Sequence, residues 1–196
     1  MKTAVYVGLV HYPVYNKRSE VITTAITNFD IHDIARTART YSIKQYFIIH
    51  PLENQLALAK EILNYWQEGY GGEYNPDRRE AFRVVETITS IEEAARLIAE
   101  REGKPPFIVT TDARKYPNTI SYWELRRRIH EGGRPCLLLF GTGWGIQKEV
   151  MEQFDYYILE PIYGSCDYNH LSVRAAAAII LDRLLGETWW SGESLS

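Results

Sequence analysis

Directly after the apolar run Cys136-Leu137-Leu138-Leu139-Phe140 the sequence reads Gly141-Thr142-Gly143-Trp144-Gly145. Glycines at the end of a strand let the backbone pass close to a ligand and turn its N–H groups toward it. One reading is a dinucleotide fingerprint, which needs G-x-G-x-x-G, a helix, and an acid about 20 residues on. Gly141 and Gly143 fit and Glu160 stands at a suitable distance, but Ile146 occupies the third glycine position. That reading implies an NAD(P)-binding oxidoreductase. The bland reading is a glycine-rich turn without a ligand.

Two further groups of residues carry potential chemistry. Cys166-Asp167-Tyr168-Asn169-His170 places a thiol and an imidazole on one short stretch, without an evident third group to orient the pair as a nucleophile and base would require. Asn169 also has the chemistry of a cap for the helix that follows. Arg126-Arg127-Arg128, His130 and Arg134 form a basic cluster, with Arg114-Lys115-Tyr116, Arg78-Arg79 and Lys17-Arg18 as further positive points. Basic residues among aromatics suit RNA strands through phosphate contact and stacking. A solvated helix face explains the triple Arg equally well. A non-catalytic RNA-binding α/β domain is therefore a third possibility.

These residues must be held by a fold, and the composition bounds it. With 196 residues, 45% hydrophobic and 24% charged, the chain reads as one soluble globular domain over 1–196. Its 22 basic and 25 acidic residues give a net charge of −3, so it is not basic throughout. Two cysteines make no disulfide framework, and metal-ligand spacing is absent. The start of the chain lacks secretory grammar and no stretch is long enough to span a bilayer, which leads to the expectation of a cytoplasmic protein.

Apolar or β-branched runs at 4–10, 21–26, 45–50, 82–88, 106–111, 136–140 and 156–159 read as strands. Between them, helical periodicity follows Asp30 as N-cap, continues through 52–66, and opens with Ser/Glu capping boxes at Ser90-Glu93 and Ser121-Glu124. Residues 70–79, with Gly71, Gly72 and Pro76, read as a loop. A short helix spans 147–154, and the last, 171–185, is apolar almost all round. Fully apolar strands alternating with helices predict an α/β fold: a mostly parallel sheet with helices on both faces. Ligands then sit beyond the carboxyl ends of the strands, in the loops at 110–118, 141–146 and 160–170.

Taken together, LLLFGTGWGI, YYILEPI and NHLSVRAAAAIILDRLL resemble the carboxyl-terminal motifs of the SPOUT (α/β-knot) RNA methyltransferases, and DIHDIARTARTYSIKQYFII resembles the family's first motif. The resemblance runs in order along essentially the whole chain. It departs from the 2′-O-ribose members at Asp30, where they carry Asn six residues before the motif Arg, here Arg36. It departs again at Gly141-Thr142-Gly143-Trp144, where they carry a Gly-Glu pairing. Both ribose and base methylation of tRNA or rRNA remain open.

The resemblance implies a C-terminal trefoil knot, S-adenosylmethionine as cofactor, no metal, and a homodimer through the last helix. Nothing in the sequence resembles a separate RNA-binding extension, and none is expected. Carried over by position, Leu139, Phe140, Gly141, Thr142 and Gly143 form one wall of the cofactor pocket. Ile158, Leu159, Pro161 and Ile162 form the second, Leu171, Ser172 and Val173 the third, and Thr110 faces the methionine end. Arg36, a fork of five donors, becomes the candidate for an RNA phosphate or a developing oxyanion. Asp33 and His32, one turn away, and Asp167 become the candidate bases.

Overall fold

The computed structural model describes residues 3–153, 157–166 and 168–187. Seven strands form one sheet. They are β1 (Val5–Val10), β4 (Tyr46–Ile49), β5 (Val85–Ile88), β6 (Phe107–Thr111), β7 (Thr119–Ile120), β8 (Cys136–Gly141) and β9 (Tyr157–Leu159). Their spatial order is β5-β4-β1-β8-β6-β9-β7 and every pairing is parallel. The chain builds outward from β1 through β4 to β5, crosses to β6, and then inserts β8 between β1 and β6. The glycine loop that ends β8 therefore emerges at the centre of the sheet's carboxyl edge.

Strand alternation divides the core between two faces. Val5, Val7, Leu9, Leu138 and Phe140 pack on one face with Ile31, Leu125 and Leu181 from helices. Tyr6, Val10, Leu137 and Leu139 pack on the other with Ile91, Ala94 and Ile98. The first face carries α1 (Asn28–Thr40), α2 (Glu53–Gln67), α6 (Tyr122–Glu131) and α8 (Val173–Leu185), and the second carries α5 (Ile91–Glu102). The serine half of each capping box forms, with Ser90 Oγ accepting from Glu93 N at 3.2 Å and Ser121 Oγ from Glu124 N at 3.1 Å, while the Glu93 carboxylate accepts from Thr89 N and the Glu124 carboxylate from Arg127 and Arg128.

Several expectations need correction. The run at 21–26 contributes only β3 (Val21–Ile22), which pairs antiparallel with β2 (Val14–Tyr15) in a small hairpin outside the main sheet. Residues 70–79 are not a loop but the short helices α3 (Tyr70–Tyr74) and α4 (Pro76–Phe82). Asn75 caps α4 by accepting from Arg78 N at 3.0 Å, and Pro76 supplies the preset first-turn φ. That helix runs through Phe82, so β5 starts later than the hydrophobic run suggested. The two-residue β7 had no signal of its own.

Helix α1 starts three residues earlier than expected. Thr27 is its N-cap and Asp30 sits inside the first turn, where Thr27 Oγ1 accepts from Asp30 N at 3.2 Å and the Thr27 hydroxyl donates to Asp30 Oδ2 at 2.7 Å. The helix after the glycine loop, α7 (Lys148–Met151), is a single turn. Helix α8 is capped by Ser172, whose Oγ accepts from Ala175 N, and not by Asn169. It is also not buried on every side: Ala177, Ile180, Leu181 and Leu184 are buried, whereas Ala175, Ala178 and Ile179 are only half-buried.

Candidate functional site

Beyond the carboxyl ends of β6, β8 and β9 lies a cavity of about 680 Å³. Its apolar wall is Phe140, Leu159, Pro161, Ile162 and Ile180. Gly141, Thr142 and Gly143 form its base, and Leu171, Ser172 and Val173 close it from the start of α8. Thr24, Thr27 and Asp30 border it from the segment before α1 and that helix's first turn, while Thr111 and Asp112 border it from the end of β6 and the loop after it. The size and the mixture of apolar wall with a few polar groups suit one small organic ligand. The position, at the carboxyl edge where β8 is inserted beside β1, is where open parallel sheets bind ligands.

The glycine loop is held in place by its neighbours. Thr142 N and its hydroxyl both donate to Val10 O, at 3.2 and 3.0 Å. Trp144 N donates to Tyr15 O at 2.8 Å, and Tyr15 N returns a bond to Gly145 O at 2.9 Å. Gly143 has φ +59°, and a Cβ there would stand 2.7 Å from Tyr15 O. Glycine is therefore required at 143 by both dihedral and space. Ile146, at the position where a dinucleotide fingerprint needs glycine, is fully buried and bridges to Val14. Among the described residues only one helical turn follows, shorter than the helix that a dinucleotide site sets behind its pyrophosphate.

A hydroxyl relay lies beneath the loop. Thr24 Oγ1 is bonded to Thr142 Oγ1 and lies 3.1 Å from His11 Nδ1. With the Thr142 proton on Val10 O, the relay is self-consistent when Thr24 donates to Thr142 and His11 Nδ1–H donates to Thr24. His11 Nε2 is then left buried without a partner among the described residues. Burial, with His50 nearby, pushes the His11 imidazole down to about 4. His50 accepts from Leu52 N at Nδ1 and therefore donates from Nε2 to Thr24 O at 3.1 Å.

Asp30 and Arg174 form a charged pair at the cavity. Arg174 Nη1 lies 3.0 Å from Asp30 Oδ1, and its Nε lies 3.3 Å from Asp33 Oδ2. The Asp30 carboxylate is 8% exposed and is completed by the Thr27 hydroxyl, whereas Asp33 is 51% exposed and does not line the cavity, which it reaches only through its pair with Arg174. On the opposite side, Asp112 accepts from Arg114 N, Nε and Nη2 at 2.7 to 3.0 Å and from the Tyr116 hydroxyl at 3.3 Å. This folds the loop after β6 into a fixed turn. Glu160, also at the cavity, accepts from Tyr122 N at 2.6 Å and so satisfies the start of α6.

The structure brings Phe140, Gly141, Thr142, Gly143, Leu159, Pro161, Ile162, Leu171, Ser172 and Val173 together at this cavity. It does not bring Thr110, Leu139 and Ile158 there. Leu139 and Ile158 belong to the core on the other face, and Thr110 is fully buried with an unpartnered hydroxyl. A shift of one residue along a strand changes the face, so Thr111 takes the place expected for Thr110.

Arg36 is exposed on the outer side of α1 and does not line the cavity. His32 is buried in an aromatic box, with ring centroids 5.2 Å from Trp66 and 4.7 Å from Phe82, and Arg78 Nη1 is 2.9 Å from its Nδ1. Burial and then Arg78 lower its pKa. Its role is packing away from the cavity. Asp167 lies outside the described residues. His170 lines the cavity, with its ring against Tyr168 and Cys166 exposed on the same loop. Asn169 Nδ2 donates to Ala113 O at 3.0 Å, tying this loop to the one after β6.

The triple Arg is engaged in structural contacts. Arg127 and Arg128 pair with Glu124, and Arg126 Nη1 donates to Leu184 O at 2.6 Å. Arg134 donates to Pro105 O and Pro106 O at the opposite end of the sheet. Among the described residues, no group of three or more His, Cys, Asp or Glu could hold a metal ion, and no helix is long and apolar enough to cross a membrane. Arg174 was missed by sequence reasoning. Its signal was a lone Arg opening an alanine-rich helix.

Sheet order, central glycine loop and cavity together define an α/β fold that binds a small organic cofactor. The chain belongs to a family of S-adenosylmethionine-dependent RNA methyltransferases, whose sequence model matches residues 4–186. It is 46% identical to an uncharacterized protein of Aquifex aeolicus over 92% of this chain and 87% of that one. It is 44% identical to a tRNA (guanine-N(1)-)-methyltransferase of Oleidesulfovibrio alaskensis over 93% of this chain, and spans 42% of that relative's length. Among solved structures, the SpoU methyltransferase AviRb of Streptomyces viridochromogenes, in complex with AdoMet, superposes with TM-score 0.61 at 16% identity. That match covers 98% of this chain and 60% of AviRb. The A. aeolicus TrmH/SpoU tRNA modifying enzyme gives TM-score 0.54 at 17% identity, over 94% of this chain and 74% of that one. At these identities the structural matches carry the SpoU-type fold.

Proposed function

We propose that this chain transfers a methyl group from S-adenosylmethionine to a nucleotide of tRNA. The observation that carries the reading is the cavity around the glycine loop, which sets an apolar pocket and the Asp30–Arg174 pair side by side in a chain of this family. The tRNA preference draws on relatives named as tRNA methyltransferases. More than half of each lies outside the match, so the guanine-N1 position in their names is not carried over. Base and ribose acceptors both stay within the proposal, and rRNA is the alternative substrate.

The residues present fit the cofactor. Phe140, Leu159, Pro161 and Ile162 offer an apolar slot for an adenine ring, and the backbone of Gly141 to Gly143 offers polar groups at close approach. When bound, S-adenosylmethionine supplies a methyl group already activated by its sulfonium, so positioning and one base suffice. Arg174 holds Asp30 and Asp33 in fixed orientations. Asp33, the half-exposed partner, is the group we place to take the acceptor's proton. Arg36, exposed further along α1, is assigned to an RNA phosphate.

The trefoil knot belongs to the same reading, as does a homodimer in which the half-buried Ala175, Ala178 and Ile179 side of α8 meets a second copy. The test is to incubate the purified chain with methyl-labelled S-adenosylmethionine and separate tRNA and rRNA pools, then digest to nucleosides. Label in one tRNA nucleoside supports the proposal, and its position on base or ribose fixes the acceptor. Label confined to rRNA or absent from both pools rejects it.

A further inference from the structure

On the other side of the glycine loop from the cofactor cavity lies a second cleft, of about 840 Å³. Arg114 and Trp144 line both spaces, so the clefts share one wall. The second cleft runs between the β2–β3 hairpin, the loop after β6 and the turn of α7. Among the described residues its cations are Lys17, Arg114, Lys115 and Lys148, against Glu152 as the lining acid. In a chain of net charge −3 this is a local reversal of sign.

The cations are available in different degrees. Lys17 and Lys115 are exposed and make no ion pair with any described residue. Lys148 meets Glu152 at 3.4 Å with both side chains more than half exposed, a pair that contributes little and exchanges readily. Arg114 is anchored from below by Asp112.

The same cleft carries aromatic rings on a fixed frame. Tyr15 and Tyr116 line it with their hydroxyls engaged, Tyr15 with Glu149 at 3.2 Å and Tyr116 with Asp112 at 3.3 Å. The Trp144 indole is 56% exposed. Its backbone is pinned at both ends, through N to Tyr15 O at 2.8 Å and through O to Arg114 Nη2 at 3.4 Å. A pinned backbone beneath an exposed indole has the build of a base-stacking platform, and lysines around it supply the phosphate contacts.

We propose that this cleft seats a single-stranded stretch of the RNA substrate, with a base against Trp144 and phosphates on Lys17 and Lys115. The proposal rests on the methyltransferase reading of the adjoining cavity. The shared wall gives it a functional sense: a strand in the cleft brings its next nucleotide to the edge of the cofactor cavity. It also relocates RNA contact from the triple Arg of α6, which is engaged in structural contacts, to residues beside the chemistry.

The test measures binding of a single-stranded oligonucleotide and of bulk tRNA across a salt series, with the wild-type chain and the Lys17→Ala/Lys115→Ala variant. S-adenosylmethionine titration of both proteins is the control, since neither lysine borders the cofactor cavity. Each phosphate contact on a single strand contributes a log–log salt slope of about 0.7, or about fourfold in affinity near 0.15 M salt. The double variant is therefore expected to bind roughly fifteenfold more weakly, with a slope shallower by about 1.4, and unchanged cofactor affinity. Ultraviolet cross-linking is expected to attach the oligonucleotide to the peptide carrying Trp144 or Tyr15.

Equal RNA affinity and slope in the variant, cross-links elsewhere, or binding of duplex alone would overturn the cleft assignment while leaving the methyltransferase reading in place. Failure of the wild-type chain to take up S-adenosylmethionine would overturn that reading and the proposal with it.

Discussion

Arg174, in the first turn of α8, lies 3.0 Å from Asp30, in the first turn of α1, across a sequence separation of 144 residues. The pair locks together two helix starts that border the same cavity. Arg174→Ala leaves the nearly buried Asp30 carboxylate with the Thr27 hydroxyl as its remaining side-chain partner. Unfolding in urea is expected to show a loss of about 1.5–3 kcal/mol. Arg174→Lys should recover part of it, because charge is kept and the fork is not. An unchanged midpoint in Arg174→Ala would mean that the pair is not formed in solution.

Asp33 and Arg36 lie on the same helix and are expected to fail differently. Asp33→Asn should lower methyl transfer about 100-fold or more with cofactor affinity kept, as for loss of a general base. Arg36→Ala should raise the RNA KM while leaving stability within about 0.5 kcal/mol, since it is an exposed residue outside the core. Parent kinetics in both variants would remove this helix from the mechanism.

The glycine loop can be tested at 143 as well as at 141, and each substitution acts on the loop's backbone. A Cβ at Gly141 meets the loop's own Ile146 N at 2.8 Å, so Gly141→Val reports on whether the loop folds before it reports on a ligand. Gly143→Ala instead strains a positive φ and pushes on Tyr15 O, which anchors the loop to β2. The expected cost is about 1–3 kcal/mol in stability together with loss of cofactor binding. Retained affinity would place the cofactor elsewhere.

His11 sets a pH dependence of stability. Its folded pKa, about 4, is below the ordinary value of 6.5, so between these values the unfolded chain binds more protons than the folded one. The contribution is fully present above about pH 6.5 and declines as pH falls toward 4, by on the order of 3 kcal/mol in total. His50 and His32 are shifted in the same direction by burial. Urea midpoints measured at intervals between these pH values should fall steadily for the parent and less for His11→Gln. Parallel curves would show that His11 does not carry the effect.

What the sequence revealed followed the range of each signal. The run at 136–140 is apolar at every position, as a parallel strand covered on both faces requires. Residues 70–79 misled because Gly71 and Gly72 look like loop residues. In the fold, a Cβ at Gly71 would lie 2.5 Å from the Tyr65 ring, and one at Gly72 2.3 Å from Trp66 O, so the glycines allow α3 to pack on α2. Thr110 and Thr111 are chemically alike, and only strand pairing decides which faces the cavity. Arg174 stood out only as a lone Arg opening an alanine-rich helix, and its partners lie on a helix far back in the chain.

Calorimetric titration of the purified chain with S-adenosylmethionine, and in parallel with NAD, tests the central claim most directly. Saturable heat with S-adenosylmethionine at one site per chain, abolished in Gly143→Ala and absent with NAD, is the expected result. Saturable binding of NAD with no response to S-adenosylmethionine would contradict it.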